Sequence, residues 1–230
     1  MWMDSYILNQ PLSTWLKIGQ QETHRALWRF FASQQKAVVL ARSNKPELEV
    51  EEERCHRAGV PILRRKGGGG TVVLGDGCLI FTMAFYAKEL FANDTYFAAV
   101  NDIWIEALKS IGIEGVRQRG ISDLAVGDKK IAGTSLFRKR HLLVYQGSLL
   151  VNPDLEQISW FLRHPTKEPD YRQGRKHSEF ITSLKELGHD ISPENLAQVC
   201  ERFMQKKGLS FLEPHFIDEK TFEKGGLSFW

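Results

Sequence analysis

An α+β fold, a mixed β-sheet flanked by helices, is predicted by three features of this 230-residue sequence. Its middle is dense in short β-branched and aromatic runs. Stretches of helical period flank that middle, and the two kinds of segment do not alternate as a regular βαβ sheet requires. Hydrophobic residues at 42% and charged residues at 26% are ordinary for a globular chain and sufficient for one full core.

The elements follow in order. "THRALWRFF" (23–31) reads as the end of an amphipathic helix, and "AVVLA" (37–41) as a short strand. "VEEERCHRAG" is a helix stopped at Gly59, and "VPILRR" is a strand entering a run of four glycines. "TVVL" and "LIFTMAFY" are strands joined by a turn at Gly75-Asp76-Gly77, and a longer helix occupies about 94–112. "ISDLAVGDKKIAGTSLF" is two strands about a Gly-Asp turn, "LLVYQGSLLV" a further strand, and "DLEQISWFLRH" a helix. "SPENLAQVCERFMQKKG" is a capped helix with Ser192 as N-cap, Pro193 at its first position and Gly208 past its end.

Several function classes are disfavoured. A formal charge of +3 is too small to argue for a nucleic-acid partner. The start "MWMDSYILNQ" lacks the pattern of a secretory signal, and no apolar run approaches the ~18 residues of a membrane span. Cys55, Cys78 and Cys200 are widely spaced and cannot all pair, which favours a reduced, cytoplasmic chain. The histidines have no ligand spacing, so no metal site built from a side-chain cluster is expected.

Two stretches carry chemistry. In "RRKGGGGTVV" the glycines open a strand rather than a helix, so neither a P-loop nor a dinucleotide fingerprint fits. Glycine is costly to order, and such a loop is either a flexible connection or a backbone surface for a flat or anionic ligand. Arg64 and Arg65 alternate on the strand before it, so only one of them can readily line a pocket there. In "SDLAVGDKKIAG" a two-residue turn at Gly127-Asp128 would pair Val126 with Lys129, Ala125 with Lys130, and Asp123 with Ala132. Asp123, Ala125, Lys130 and Ala132 would then share one face, with the acid and the lysine as diagonal neighbours. That arrangement is either a surface ion pair or a site for a phosphate and a carboxylate.

Taken in order, "RRKGGGGTVV", "ISDLAV", "GDKKIAGTS" and "YQGSLLV" resemble the lipoate-protein ligase A family, whose catalytic domain is of the biotin/lipoate ligase type. "YRQGRKHSEFITSL" is similar to that family's arginine-rich segment, and the resemblance covers about Val38 to Leu184. It implies a catalytic domain over 1–185, with 186–230 as a small helical C-terminal section of the same domain. The activity implied is ATP- and Mg²⁺-dependent conversion of lipoate to lipoyl-adenylate, followed by transfer to a lysine of a lipoyl-acceptor protein domain. By the same resemblance the protein either works alone or needs a separate activating accessory subunit.

The resemblance assigns Arg65, the backbone of Gly68, Gly69, Gly70, Thr71, Val72 and Val73, and Thr134 to the adenylate. Lys130 would bridge the acyl carboxyl and the α-phosphate. Asp123 would position Lys130, bind Mg²⁺ or accept a proton from the incoming amine, with no choice among these roles. Gln146 and Gly147 would line the acyl pocket. Gly67, Thr71, Ser122 and Gln146 stand where the family usually has Ser, Ala, Asn and His. Octanoyltransferases of the same fold, which use a reactive cysteine, are one alternative, and a non-catalytic lipoate- or adenylate-binding relative is another. The polar stretch 165–178 is either a lid over phosphates, through Arg172, Arg175, Lys176 and His177, or disordered. "FRKRH" (137–141) reads as a solvated turn between strands or a docking patch for acidic acceptor domains.

Overall fold

The computed structural model describes residues 27–87, 91–207 and 210–211. Among them, ten strands form two sheets. The larger runs in space through β10 (Ser210–Phe211), β1 (Leu27–Ala32), β5 (Cys78–Tyr86), β9 (Leu142–Leu150), β8 (Lys129–Lys139), β7 (Asp123–Val126) and β6 (Val116–Arg119). Its pairings are antiparallel except β1 with β10. The smaller sheet has β2 (Ala37–Leu40) at its centre, parallel to β3 (Ile62–Arg64) and antiparallel to β4 (Val72–Leu74). The described helices are α1 (Pro46–Glu49), α2 (Glu52–Arg57), α3 (Asn93–Lys109), α4 (Glu156–Phe161), α5 (His177–Phe180) and α6 (Pro193–Lys206). The mixed-sheet α+β expectation is met.

Strand alternation divides the larger sheet into two faces with different tasks. Leu79, Phe81 and Met83 of β5 and Tyr145 and Leu149 of β9 enter one core with Trp104 and Leu108 of α3 and Leu196 and Met204 of α6. Phe81 stacks on Phe30 and meets Trp104 edge-on, each at 4.6 Å between ring centres. On the opposite face, Ile80 packs against Ala37, Val39 and Leu74 of the smaller sheet. The smaller sheet covers only part of this face, and the cavity described below opens along it.

Local chemistry sets the element ends. Ser192 Oγ accepts the Asn195 N–H and Pro193 opens α6, as its sequence predicts, while Gly208 lies outside the described residues. Gly59 takes φ +63° just after α2, a conformation that glycine adopts without strain. The stretch expected as a helix end at 23–31 is instead strand β1 over its described part. Trp28 and Phe30 face the core while Arg29 lies between them, a period of two that tertiary packing rewards. The strands either side of Gly75–Gly77 join different sheets and do not pair with each other. "FRKRH" spans the turn between β8 and β9, where Arg140 takes φ +54°. No helix among the described residues is long and apolar enough to cross a membrane.

Candidate functional site

The four glycines are glycine for different reasons. A Cβ on Gly67 would come within 2.9 Å of Ser135 Oγ, so the loop lies directly on β8. Gly69 has φ +95°, which side chains rarely adopt, while Gly68 and Gly70 face open space. Arg65 is buried, and its guanidinium donates to the carbonyls of Gly68 (2.6 Å), Gly70 (2.7 Å) and Val39 (3.3 Å). It therefore holds the loop's shape from inside. Arg64, on the other side of β3, donates to the carbonyls of Ala41, Arg42 and Asn44.

The β7–β8 hairpin pairs Val126 with Lys129 and Ala125 with Lys130 as expected. Beyond that point the expectation fails. Ala132 pairs with Leu124 rather than Asp123, because a β-bulge leaves Ile131 as an extra residue on β8. The predicted common face of Asp123, Ala125, Lys130 and Ala132 is broken, and Leu124, Ile131 and Ala132 turn into the core. The ion pair forms nonetheless, with Lys130 Nζ 2.8 Å from Asp123 Oδ1. The lysine side chain crosses Gly133, where a Cβ would lie 3.1 Å from Nζ.

Asp123 has a second partner that sequence reading misses. Its Oδ2 accepts from the Tyr171 hydroxyl at 3.0 Å. Burial and the nearby Asp123 carboxylate raise the Tyr171 pKa, so the phenol stays protonated and donates. The Arg119 guanidinium lies over the Tyr171 ring at 4.8 Å. No local pattern in 165–178 singles out Tyr171, because its partners are about 50 residues away in the chain.

The 165–178 segment is an ordered wall. Pro169 and Tyr171 pack on Gly120, and just beyond the segment the Thr182 N–H donates to the Lys130 carbonyl at 2.9 Å. Of the four basic residues expected over phosphates (Arg172, Arg175, Lys176 and His177), two behave otherwise. Arg175 pairs with Asp128 at 2.9 Å and braces the hairpin tip, and Lys176 is exposed and away from the cavity. Arg172 and His177 do line the cavity. Arg172 is buried, with a lowered pKa from that burial, and one of its terminal nitrogens has no hydrogen-bond partner. Burial and the neighbouring charges of Arg172, His164 and Lys130 push His177 down to about 4, so it is neutral at pH 7.

A cavity of about 1070 Å³ gathers these parts. Arg65, Gly69, Gly70, Thr71, Val72 and Val73 line it, together with Asp123, Lys130, Thr134, Gln146 and Gly147. Gly68 is not among its lining residues. Thr134 Oγ1 donates to the Ser122 carbonyl at 2.7 Å, tying β8 to the residue before β7. Glu49, buried on the four-residue α1, also lines the cavity and accepts from Thr71 Oγ1 at 3.2 Å and Thr166 Oγ1 at 2.8 Å. It thereby links the glycine loop to the 165–178 wall.

All three cysteines are buried, and none has the accessible, depressed thiol that acyl-thiol chemistry requires. Burial raises the Cys55 pKa and pushes Cys78 to about 11 and Cys200 to about 12. No cluster of three or more metal-ligating side chains occurs among the described residues.

The model of the lipoyl protein ligase A/B catalytic domain matches residues 9–205. Lipoate-protein ligase A of Psychrobacter cryohalolentis is 32% identical over 182 residues, which cover 78% of this chain and 50% of that protein. The ligase of the same description from Blochmanniella floridana is 29% identical over 213 residues, covering 89% and 59%. The chain thus spans about half to three-fifths of the length of these relatives. Among solved structures, a bipartite lipoate protein ligase from Thermoplasma acidophilum, studied with its E2 lipoyl domain, superposes with a TM-score of 0.73 at 18% identity. The match covers 90% of this chain and 84% of that one. Lipoate-protein ligase A bound with ATP gives 0.71 at 20% identity, covering 90% and 86%. These structures share the fold.

Proposed function

The chain belongs to the lipoyl protein ligase A/B catalytic domain family, and on that premise we propose that it activates lipoate with ATP and passes the lipoyl group to a lysine of an acceptor protein domain. The observation that carries this reading is Lys130, held at 2.8 Å by Asp123 in a cavity that the glycine loop also lines. The named activities of the relatives and the ATP-bound structural neighbour support it further.

The reaction needs two displacements. A carboxylate oxygen attacks the α-phosphorus and pyrophosphate leaves; then an amine attacks the acyl carbon and AMP leaves. Negative charge develops on the phosphoryl oxygens in the first and on the carbonyl oxygen in the second. A preorganised ammonium beside both positions stabilises each without reorganising. Asp123, with both oxygens engaged by Lys130 and Tyr171, acts in this reading as the positioning group for Lys130. Arg172 and the neutral His177 offer donors for phosphate oxygens in the same cavity. Mg²⁺ would arrive with the nucleotide, since it is commonly held by phosphates and one or two carboxylates rather than a protein cage.

A thiol-carried acyl transfer is disfavoured by the three buried cysteines with raised pKa. The described part of 186–230 is read as part of the same domain, because Leu196, Cys200 and Met204 share the main core, while 208–209 and 212–230 lie outside the described residues. A separate activating polypeptide and the acceptor domain remain partners of this proposal. The test is lipoate-dependent pyrophosphate release from Mg²⁺-ATP. Lys130→Ala should lower it about 10²–10³-fold; full activity in that variant would overturn the assigned role.

A further inference from the structure

Two buried amides lie on opposite faces of β9, and they are treated differently. Asn101 of α3 is fully buried, and its Nδ2 donates to Gln118 Oε1 at 2.8 Å while its Oδ1 accepts from the Tyr145 hydroxyl. Gln146, next in sequence to Tyr145, is 5% exposed, yet neither atom of its carboxamide has a hydrogen-bond partner. Directly opposite on β5, Thr82 is 3% exposed and its hydroxyl is also unpartnered. Buried polar groups are almost always paired, and Gln146, unlike the unpartnered Trp104 Nε1 in the closed core, borders a cavity that an occupant can fill.

Both residues lie on one face of the sheet; Gln146 lines the cavity along with Ile80 and Ser148, while Thr82 is not among its lining residues. Their distance from the reacting end can be read from the strands. The Lys130 ammonium lies over Gly133, which pairs with Ser148, and Gln146 pairs with Ser135. Gln146 is therefore two residues farther along and one strand across, roughly 8 Å away. At ordinary carbon–carbon bond lengths, that is a zigzag of about six or seven bonds.

Resting on the ligase reading above, we infer that Gln146 is a specificity determinant that recognises a hydrogen-bond-accepting group at the far end of a medium-length acyl chain, as the dithiolane sulfurs of lipoate supply, and that Thr82, opposite it on β5, positions its carboxamide. Sulfur is a weak acceptor, and Gln146 Nε2 is the donor. A chain ending in plain hydrocarbon, such as octanoate, would bury the same group unpaired. Sites built to hydrogen-bond a substrate discriminate against analogues that lack the bond, and a weak acceptor should give a smaller factor, about tenfold. A water trapped between the two side chains would satisfy them instead and remove the preference.

The test measures dissociation constants for lipoate and octanoate by calorimetry on the full chain, which needs no turnover, beside kcat/KM for both acids by pyrophosphate release. Wild type should favour lipoate about tenfold, and Gln146→Met and Thr82→Val should each move that ratio toward one. Thr82→Val keeps the shape of the residue and carries the test if Gln146→Met does not fold. A wild-type affinity ratio near one, an unchanged ratio in both variants, or no measurable binding of either acid overturns the inference. Selective lipoate binding without pyrophosphate release would overturn the ligase reading while leaving the recognition intact.

Discussion

The two faces of the seven-stranded sheet are made from the same strands and obey opposite rules. Toward α3 and α6, side chains such as Phe81, Tyr145 and Leu149 fill a closed aromatic and aliphatic core, and the one deeply buried amide, Asn101, is fully paired. Toward the glycine loop the strands present Gln146 and Ser148 to an open cavity, and Gln146 and its neighbour Thr82 keep hydrogen-bonding capacity unused. Trp104 Nε1 is also buried without a hydrogen-bond partner on the core face, so what separates the two faces is the cavity beside Gln146. The contrast teaches that here unmet polarity beside a cavity, rather than unmet polarity or depth of burial alone, separates residues kept for chemistry from residues kept for packing.

Changes on the core face should cost stability, and changes on the cavity face should cost rate. Phe81→Ala removes a ring stacked between Phe30 and Trp104 and should destabilise the protein by about 3–5 kcal/mol, read as a denaturant midpoint. Lys130→Ala, by contrast, should leave the melting profile close to wild type while removing lipoate-dependent pyrophosphate release. If it unfolds the protein instead, the two faces are not functionally distinct.

Tyr171→Phe sharpens the comparison from the wall opposite the sheet. Losing the bond to Asp123 should lower kcat by up to about tenfold, with a smaller change in KM, because Lys130 is less firmly held. An equal loss in Asp123→Asn and in the double variant would support their acting as one unit.

The smallest effect concerns His177, held near 4 in the folded protein against an ordinary 6.5. Its depressed value means the unfolded chain takes up the proton first. The stability contribution is complete above pH 6.5 and is lost as pH falls toward 4. His177→Gln should flatten the fall in stability across that window; an unchanged slope would remove His177 as its source.

Much of this arrangement was legible because it is local. The Gly-Asp turn fixed the pairing of Lys130 with Ala125, and the alternation of Arg64 and Arg65 implied that one of them would serve the glycine loop. The bulge at Ile131 was not legible, since nothing in "KKIAG" distinguishes a regular strand from one that shifts register under core packing. Glu49 and Tyr171 were missed because their roles arise from contacts with Thr71, Thr166 and Asp123 that only tertiary structure brings near. β1 was misread although Trp28-Arg29-Phe30 alternates, because two adjacent phenylalanines blurred the period.

The most direct test of the central claim is the intact mass of a lipoyl-acceptor domain after incubation with this protein, lipoate and Mg²⁺-ATP, with an activating polypeptide supplied in parallel. The expected result is a lipoyl mass gain that requires ATP and disappears in Lys130→Ala. A gain obtained without ATP from an acyl-carrier thioester, and undiminished in Lys130→Ala, would contradict it.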